Sequence, residues 1–139
     1  MTVYTKKMVL PKTNELDILD ITDRVQLEID NSGVKEGIAN IYTVGSTAAI
    51  TTLEFEPGLI ADMKTVLNHI VPRSWEYEHH KRWHDDNGHS HLRASLLGPS
   101  KSVPVQNGRL ILGTWQQIVF IELDNKPRTR EVIITVVGE

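Results

Sequence analysis

The segment Ile118-Val119-Phe120-Ile121 constrains the fold more than any other part of the chain, because it places large apolar side chains in a row. The side chains of a β-strand alternate between the two faces of its sheet, so this strand would be apolar on both faces. Such a strand needs cover on each side. We therefore expect it to lie in the centre of a sheet or to be covered by another subunit.

Two adjacent runs, 37–44 and 47–55, are rich in β-branched and aromatic residues and predict two further strands. Pro57 opens a pattern of apolar residues at three- and four-residue spacing, which predicts a helix that Pro72 ends. Asn107-Gly108 is a hairpin turn signal. Other strands are expected over 3–10, 16–21, 103–106, 109–112, 114–123 and 130–137.

A shorter helix is expected to follow Thr22 as its N-cap and to end at Asn31-Ser32-Gly33. Residues 73–91 are irregular and polar, and we expect a functional loop there. The order of these elements does not repeat a βαβ unit. It predicts one α+β domain over 1–139, with two mixed or antiparallel sheets and two main helices.

Length and composition exclude several classes of protein. The 139 residues fit one domain, and a formal net charge of −3 provides no positive field for nucleic acid or an acidic membrane. Without cysteine, the chain forms no disulfide and no thiolate zinc site. Neither a secretory signal nor a transmembrane run is evident. We therefore expect a cytoplasmic protein with no nucleic-acid or membrane partner.

Histidine clustering is the sharpest chemical signal, because five of the six histidines lie between positions 79 and 91. Imidazole suits zinc and similar divalent ions. His89 and His91 would share one face of an extended loop, and His79 could add a third ligand. Three protein ligands would leave a position for water or substrate. The alternative is a solvent-exposed polar loop that binds nothing, which the clustering disfavours.

Other segments offer weaker candidates, each with a plainer alternative. Glu54 ends an apolar strand and could act as a general base, or it is an exposed residue that begins a loop. Gly45-Ser46-Thr47 would let the backbone approach an anion, or it is a tight turn between strands. Arg93, Arg128 and Arg130 could clamp phosphate, although exposed arginines are common.

Several separated segments together resemble the YjbQ-like family. Residues 108–118, GRLILGTWQQI, are similar to the family's G-x-L-x-L-G-T-W-Q signature. Residues 46–54, STAAITTLE, are similar to its S/T-T-A-A run that ends in Glu. The middle and closing motifs are matched by Tyr77-Glu78-His79, Asp86-Asn87, His91-Leu92, Leu97-Gly98 and Pro127-Arg128-Thr129-Arg130. The resemblance runs from about Asp17 to the C-terminus.

This resemblance implies an α+β fold with two sheets, a homotrimer, and a polar cleft near the subunit contacts. It also implies a weak, secondary thiamine-phosphate synthase activity, which joins a pyrimidine diphosphate to a thiazole phosphate. Many members have His where this chain has Gly45, and a small residue where it has His89. This exchange implies a changed ligand set, a different substrate or no metal. The positions that match the family's motifs are Glu54, His79, Asp86, Asn87, His91, Trp115 and Gln116.

We therefore expect an enzyme whose divalent ion, zinc or magnesium with a diphosphate substrate, is held by His79, His89 and His91. The expected catalytic residues are Glu54 and Asp86. A small phosphate-containing molecule is expected as the ligand, with substrate contacts from Ser46, Thr47, Asn87, Arg93, Gln116 and Arg128. The alternatives are a metal- or small-anion-binding trimer without turnover, an unassigned phosphate-ester hydrolase, or an interaction protein whose histidines line a subunit contact.

Overall fold

The computed structural model describes residues 1–139, which form eight strands and four helices. The strands are β1 (Thr2–Val9), β2 (Ile18–Asp20), β3 (Gly37–Thr43), β4 (Ala48–Leu53), β5 (Ser100–Gln106), β6 (Arg109–Leu110), β7 (Gln117–Glu122) and β8 (Glu131–Gly138). The helices are α1 (Thr22–Ser32), α2 (Pro57–Ile70), α3 (Glu78–Trp83) and α4 (Gly88–Leu97). The expected α+β class is confirmed.

The larger sheet has the strand order β1–β8–β3–β5–β6, and all its neighbouring strands are antiparallel. Asn107 and Gly108 make the turn between β5 and β6 with φ angles of 53° and 74°. Positive φ at both positions is what a type I′ hairpin turn requires, and Asn-Gly adopts it readily. The hairpin prediction is confirmed.

The smaller sheet has the order β2–β7–β4, with β7 in its centre. Ile118 and Phe120 join the main core between the two sheets. Val119 and Ile121 join a second core, against Leu67 of α2 and Ala94 of α4. The two apolar faces of β7 are thus covered within one chain, and its predicted central position is confirmed.

Helix α1 differs from expectation at its beginning. Thr22 is its first helical residue and not its N-cap, so the predicted cap is wrong. The Thr22 hydroxyl donates to Asp20 at 2.7 Å and accepts from the Ile118 N–H at 2.9 Å. Thr22 therefore ties α1 to the smaller sheet. The helix ends at Gly33, which has a left-handed φ of 72° as its C-cap.

Helix α2 follows the sequence prediction from Pro57 to Ile70. The carboxylate of Glu56, the residue before it, accepts hydrogen bonds from the N–H groups of Gly58 and Leu59. These N–H groups have no partner within the helix, so Glu56 stabilises its first turn. None of the four helices is both long enough and apolar enough to cross a bilayer.

Residues 73–91 are not the irregular loop that we expected, because α3 and the beginning of α4 lie there. No residue of α3 is buried, and α4 buries polar residues such as His89 and Arg93, so neither helix shows an apolar stripe. Asn87 before α4 and Gly98 after it, with φ of 89°, are helix-boundary residue types. That pair is the signal for a helix in this segment.

Candidate functional site

A cleft of about 460 Å³ opens between α3 and α4. His84 and Asp86, both with positive φ, turn the chain between these two helices. Gly88 lets them approach, because a Cβ at position 88 would lie 2.7 Å from the Cβ of Tyr77. The cleft is lined by Glu76, Tyr77, Glu78, His79, Gly88, His91 and Leu92.

His79 is held in this cleft by a short chain of polar contacts. Its Nδ1 atom lies 3.2 Å from Oδ1 of Asp85. The Asn87 amide nitrogen, turned toward Asp85, donates to the same carboxylate at 3.0 and 3.3 Å. A carboxylate only accepts hydrogen bonds, so this contact favours the tautomer with the proton on Nδ1, in which Nε2 has a free lone pair. That nitrogen can take a proton or bind a metal ion.

His91 faces His79 across the cleft. Their ring centroids are 4.7 Å apart and their planes are inclined by 43°. The side chain of His79 is about one third exposed, at 32%, so ligands reach this pair from solvent. The structure therefore brings together the predicted residues His79, His91 and Asn87.

His89 does not join them, which corrects the expectation that it shares a face with His91. The extended loop assumed for this segment is helical, and two residues along an α-helix are separated by about 200° around its axis. His89 is buried, and its Nε2 lies 3.1 Å from Oε2 of Glu15. Burial lowers its pKa more than Glu15 raises it, and Arg93 and Arg73 lower it further.

The three histidines therefore do not fit the expected metal site. No group of three or more His, Asp and Glu side chains in this chain is arranged to hold a metal ion. His79 and His91 could supply two ligands, whereas His89 points at Glu15. Within this chain, His79, His89 and His91 therefore do not converge on one metal position.

Two other predicted site residues, Arg93 and Asp86, make polar contacts with residues outside the cleft. Arg93 is fully buried, and it donates to the carbonyl of Val71 at 3.0 Å and to Asn68 at 2.9 Å. These contacts anchor the end of α2, while Nη1 of Arg93 is buried without a hydrogen-bond partner. The Asp86 carboxylate pairs with Arg73 at 3.0 Å, and the cleft histidine is bonded by Asp85 instead.

Thr47 belongs to a buried polar cluster at one end of the smaller sheet. Its hydroxyl donates to Asp124 at 3.0 Å and accepts from Arg130 at 2.7 Å, so it has no hydrogen left for substrate. Arg128 donates through Nε to the same Asp124 at 2.9 Å and is about half exposed. Ser46 is exposed and lines a second, smaller cavity.

Burial raises the pKa of Asp124, but hydrogen bonds from Thr47, the Lys126 N–H and Arg128 lower it by more, so the net shift is downward. The group remains a carboxylate within the cluster. It therefore holds Thr47 and Arg128 in fixed positions.

Glu54 and Gln116 lie at the opposite end of the smaller sheet. Strand β4 separates Glu54 from Thr47, and seven extended residues span roughly 23 Å. The Gln116 amide bonds to Thr52 at 3.4 Å and accepts from the Gly113 N–H at 3.0 Å. Within one chain, the structure does not bring these two residues to the Ser46 end of β4.

Asp85 is the site residue that sequence reasoning passed over in favour of Asp86. The two are adjacent and chemically alike, and only the left-handed backbone turn decides which one meets His79. Sequence patterns carry little information about such a turn when neither residue is glycine. The resemblance favoured Asp86, because the family motif contains the pair Asp86-Asn87.

The fold and the cleft together define a class: a two-sheet α+β protein with a carboxylate-oriented histidine in a cleft between two helices. Comparison with known families makes this specific, since the model described as "UPF0047 protein YjbQ-like" matches residues 6–139. The chain belongs to this YjbQ-like UPF0047 family, so the resemblance seen in its sequence is confirmed.

Relatives and solved structures agree with this membership. A UPF0047 protein of Methanothermobacter thermautotrophicus is 42% identical over 139 residues, which cover 100% of this chain and 95% of that protein. The UPF0047 protein YugU of Bacillus subtilis is 37% identical, covering 96% of this chain and 98% of YugU. The crystal structure of a YbjQ-like protein of unknown function from Sulfolobus solfataricus superimposes with a TM-score of 0.92 at 38% identity, covering 99% and 98% of the two chains. The comparisons establish the family but name no reaction. The reaction is therefore inferred from the geometry of the site.

Proposed function

We propose that the cleft between α3 and α4 binds a small phosphate-containing molecule and that His79 moves a proton during its conversion. The observation that carries this proposal is the contact between His79 and Asp85, with Asn87 holding the carboxylate. A carboxylate that orients an imidazole through Nδ1 leaves Nε2 as a general base or acid.

In a hydrolytic reaction, the attacking water would transfer a proton to His79 Nε2 as its oxygen bonds to phosphorus. The bond from phosphorus to the leaving oxygen would break, and the same proton would return to that oxygen. His91, whose ring lies 4.7 Å from that of His79, would be placed to contact the phosphate oxygens or the leaving group. General acid–base catalysis by one residue typically accelerates a reaction by about 10²–10⁴-fold.

The family resemblance suggests a specific reaction to assay, the thiamine-phosphate synthase reaction. In it, a thiazole phosphate attacks a pyrimidine diphosphate, and pyrophosphate leaves. Here the protonated imidazole of His79 would donate its proton to the departing pyrophosphate. This candidate is supported by the resemblance and by the position of His79, and it competes with hydrolysis of a phosphate ester.

The test is a turnover assay of the purified protein with phosphate monoesters, diphosphates, and the pyrimidine diphosphate with the thiazole phosphate. We expect His79→Ala to lower the rate by about 10²-fold or more, and Asp85→Asn to lower it as well. His69→Ala is the matched control, because His69 is exposed on α2 and does not line the cleft. Equal turnover by wild type and His79→Ala would contradict the proposal. Binding without turnover would instead support a small-anion-binding protein.

A bound zinc ion is a second candidate, supported by the facing rings of His79 and His91. These residues supply two ligands, so the others would come from the substrate, from water or from a second copy of the chain. Elemental analysis of untagged protein tests this. About one equivalent of zinc per chain, lost in both His79→Ala and His91→Ala, is the expected result for a zinc protein. Metal-free protein after dialysis against zinc would contradict it.

A further inference from the structure

The rim of the histidine cleft is unfavourable for a phosphate group. Glu76 and Glu78 line it and are strongly exposed, and the only cation paired with them is Lys81, at 3.9 and 3.1 Å. Two carboxylates and one ammonium group leave a net negative charge at this rim. A ligand that reacts at His79 would therefore place any phosphate group that does not react away from these residues.

A second cavity of about 180 Å³ lies farther along the same helix. Ser95 lines this cavity, and His91 lines the cleft. The two residues are four apart on α4, so they occupy one face of the helix about one turn, or roughly 5–6 Å, apart. The cavity is smaller than the 300–1,000 Å³ or so typical of whole small-molecule ligands, so it suits one small group. It is completed by Tyr42, Gly45, Ser46, Ala48, Ala94 and Pro99.

The loop that forms one wall of this cavity has free donors. None of the backbone N–H groups of Gly45, Ser46 and Thr47 donates a hydrogen bond to the protein, and the Ser46 hydroxyl makes none either. Thr47 is buried, and buried N–H groups are nearly always paired. Consecutive N–H groups of this kind form anion-binding sites in many proteins.

Arg130 supplies a buried cation at the same loop. Its Nε and Nη2 atoms bond to Glu122 at 2.9 and 2.6 Å, and Nη2 also donates to Thr47. Its Nη1 atom makes no hydrogen bond to the protein, although only 7% of the residue is exposed. The Glu122 pair offsets the charge of Arg130, so Nη1 acts chiefly as a directed hydrogen-bond donor.

Gly45 keeps this donor within reach of the loop. A Cβ at position 45 would lie 2.7 Å from Arg130 Nη1, closer than real Cβ contacts come. Gly45 also has a φ of 133°, which side-chain-bearing residues rarely adopt. Both observations explain why glycine stands between two strands here, with the guanidinium directly against it.

We propose that the N–H groups of Gly45, Ser46 and Thr47, the Ser46 hydroxyl and Arg130 Nη1 form a binding site for a tetrahedral oxyanion. The site takes a phosphate group that does not react, such as that of the thiazole phosphate, while the bond that changes lies at His79. The existence of the oxyanion site is independent of the proposed function, whereas the assignment of its occupant to that ligand rests on it.

Titration of ¹⁵N-labelled protein with inorganic phosphate, followed by NMR, tests the oxyanion site directly. We expect saturable shifts of the Gly45, Ser46 and Thr47 amide signals, in the millimolar range of affinity or tighter. Ser46→Asp places a competing carboxylate on these donors, so we expect phosphate binding to weaken by about tenfold or more. Ser102→Asp introduces the same charge on the exposed surface of β5, outside the lining of the cavity, and should bind within a few fold of wild type. Because Ser46 and Ser102 are both exposed, both variants are expected to fold.

Phenyl phosphate distinguishes a substrate phosphate from free phosphate. We expect it to shift the three loop amides together with the imidazole signals of His79 and His91, whereas inorganic phosphate shifts the loop alone. Loop shifts without histidine shifts would support the oxyanion site and contradict its link to the proposed function. If neither anion shifts the loop amides, or if Ser46→Asp binds phosphate as wild type does, the oxyanion site is wrong. The His79→Ala protein should bind inorganic phosphate unchanged.

Discussion

His79 Nδ1 lies 3.2 Å from Asp85 Oδ1, so a carboxylate faces this nitrogen of the imidazole. Because a carboxylate can only accept a hydrogen bond, the contact favours the Nδ1–H tautomer of neutral His79. Long-range ¹⁵N–¹H NMR spectra distinguish the two tautomers by their nitrogen shifts. We predict the Nδ1–H form for His79 in the wild-type protein.

The variant Asp85→Asn provides the comparison for this prediction. An asparagine can present either its oxygen or its amide nitrogen to the ring, so we expect the Nε2–H tautomer to gain population. Asp86→Asn is the matched control, because that carboxylate pairs with Arg73 and does not contact His79. An Nε2–H tautomer in wild type, or identical nitrogen shifts in the Asp85→Asn protein, would show that Asp85 does not orient the ring.

The buried pair between Arg130 and Glu122 should be important for stability. Glu122 is fully buried and also accepts hydrogen bonds from Thr13 at 2.7 Å and from two backbone N–H groups. Removing one member of a buried ion pair leaves the other charge uncompensated, which typically costs about 3–5 kcal/mol. We predict a decrease of that size in the free energy of unfolding for Glu122→Gln, measured by urea denaturation.

Glu131→Gln is the control for this second prediction, because Glu131 pairs with Lys7 at 3.7 Å on the surface. Exposed pairs contribute about 0–1 kcal/mol, so this variant should be nearly as stable as wild type. If both variants lost the same small amount of stability, the buried cluster would not have the structural importance that its hydrogen bonds indicate.

Much of the fold could be predicted from short-range patterns. The run 118–121 correctly indicated a central strand, Pro57 and Pro72 bracketed α2, and Asn107-Gly108 marked a hairpin. Each of these signals is local, because proline, glycine and side-chain alternation act on the chain directly. Helix α4 could not be recognised in this way. Its buried face carries His89 and Arg93, whose polar partners lie in distant segments such as the one around Glu15.

The sequence indicated which residue types gather in this segment, but not how their side chains are arranged. Clustering drew attention to the segment that contains His79 and His91, and the structure places these two rings together. The helical backbone turned His89 away, and a left-handed turn selected Asp85 over Asp86. The metal, substrate and catalytic roles of these residues stay predictions, because geometry alone defines which atoms meet and which remain free.

His89 should make the stability of the protein depend on pH. Burial lowers its pKa in the folded state, despite the opposing effect of Glu15, whereas the unfolded chain has the ordinary value of 6.5. As the pH falls through 6.5, the unfolded state therefore takes up this proton first, and the free energy of unfolding falls. Above this pH both states are neutral at His89, and the effect vanishes. Urea denaturation between about pH 5 and 8 would measure it.

His89→Gln isolates this contribution, since glutamine keeps a polar side chain near Glu15 but does not titrate. We expect its unfolding free energy to fall less steeply below pH 6.5 than that of wild type. His69→Gln, the same exchange on the exposed surface of α2, is the matched control. A slope unchanged by His89→Gln would contradict this assignment.

Finally, we predict that the protein is a homotrimer in solution, as the family resemblance implies. Trp115 is 72% exposed, and Phe55 and Ile111 are also exposed large apolar residues. We propose that these side chains belong to the subunit contact, because exposed apolar patches often mark protein–protein contacts. Light scattering after size-exclusion chromatography should give a mass near three times 15.7 kDa.

Trp115→Ser should weaken the trimer, whereas Trp83→Ser, which alters a similarly exposed side chain on α3, should not. A monomeric mass at micromolar concentration would contradict the trimer, and a trimer unaffected by Trp115→Ser would place the contact on another surface.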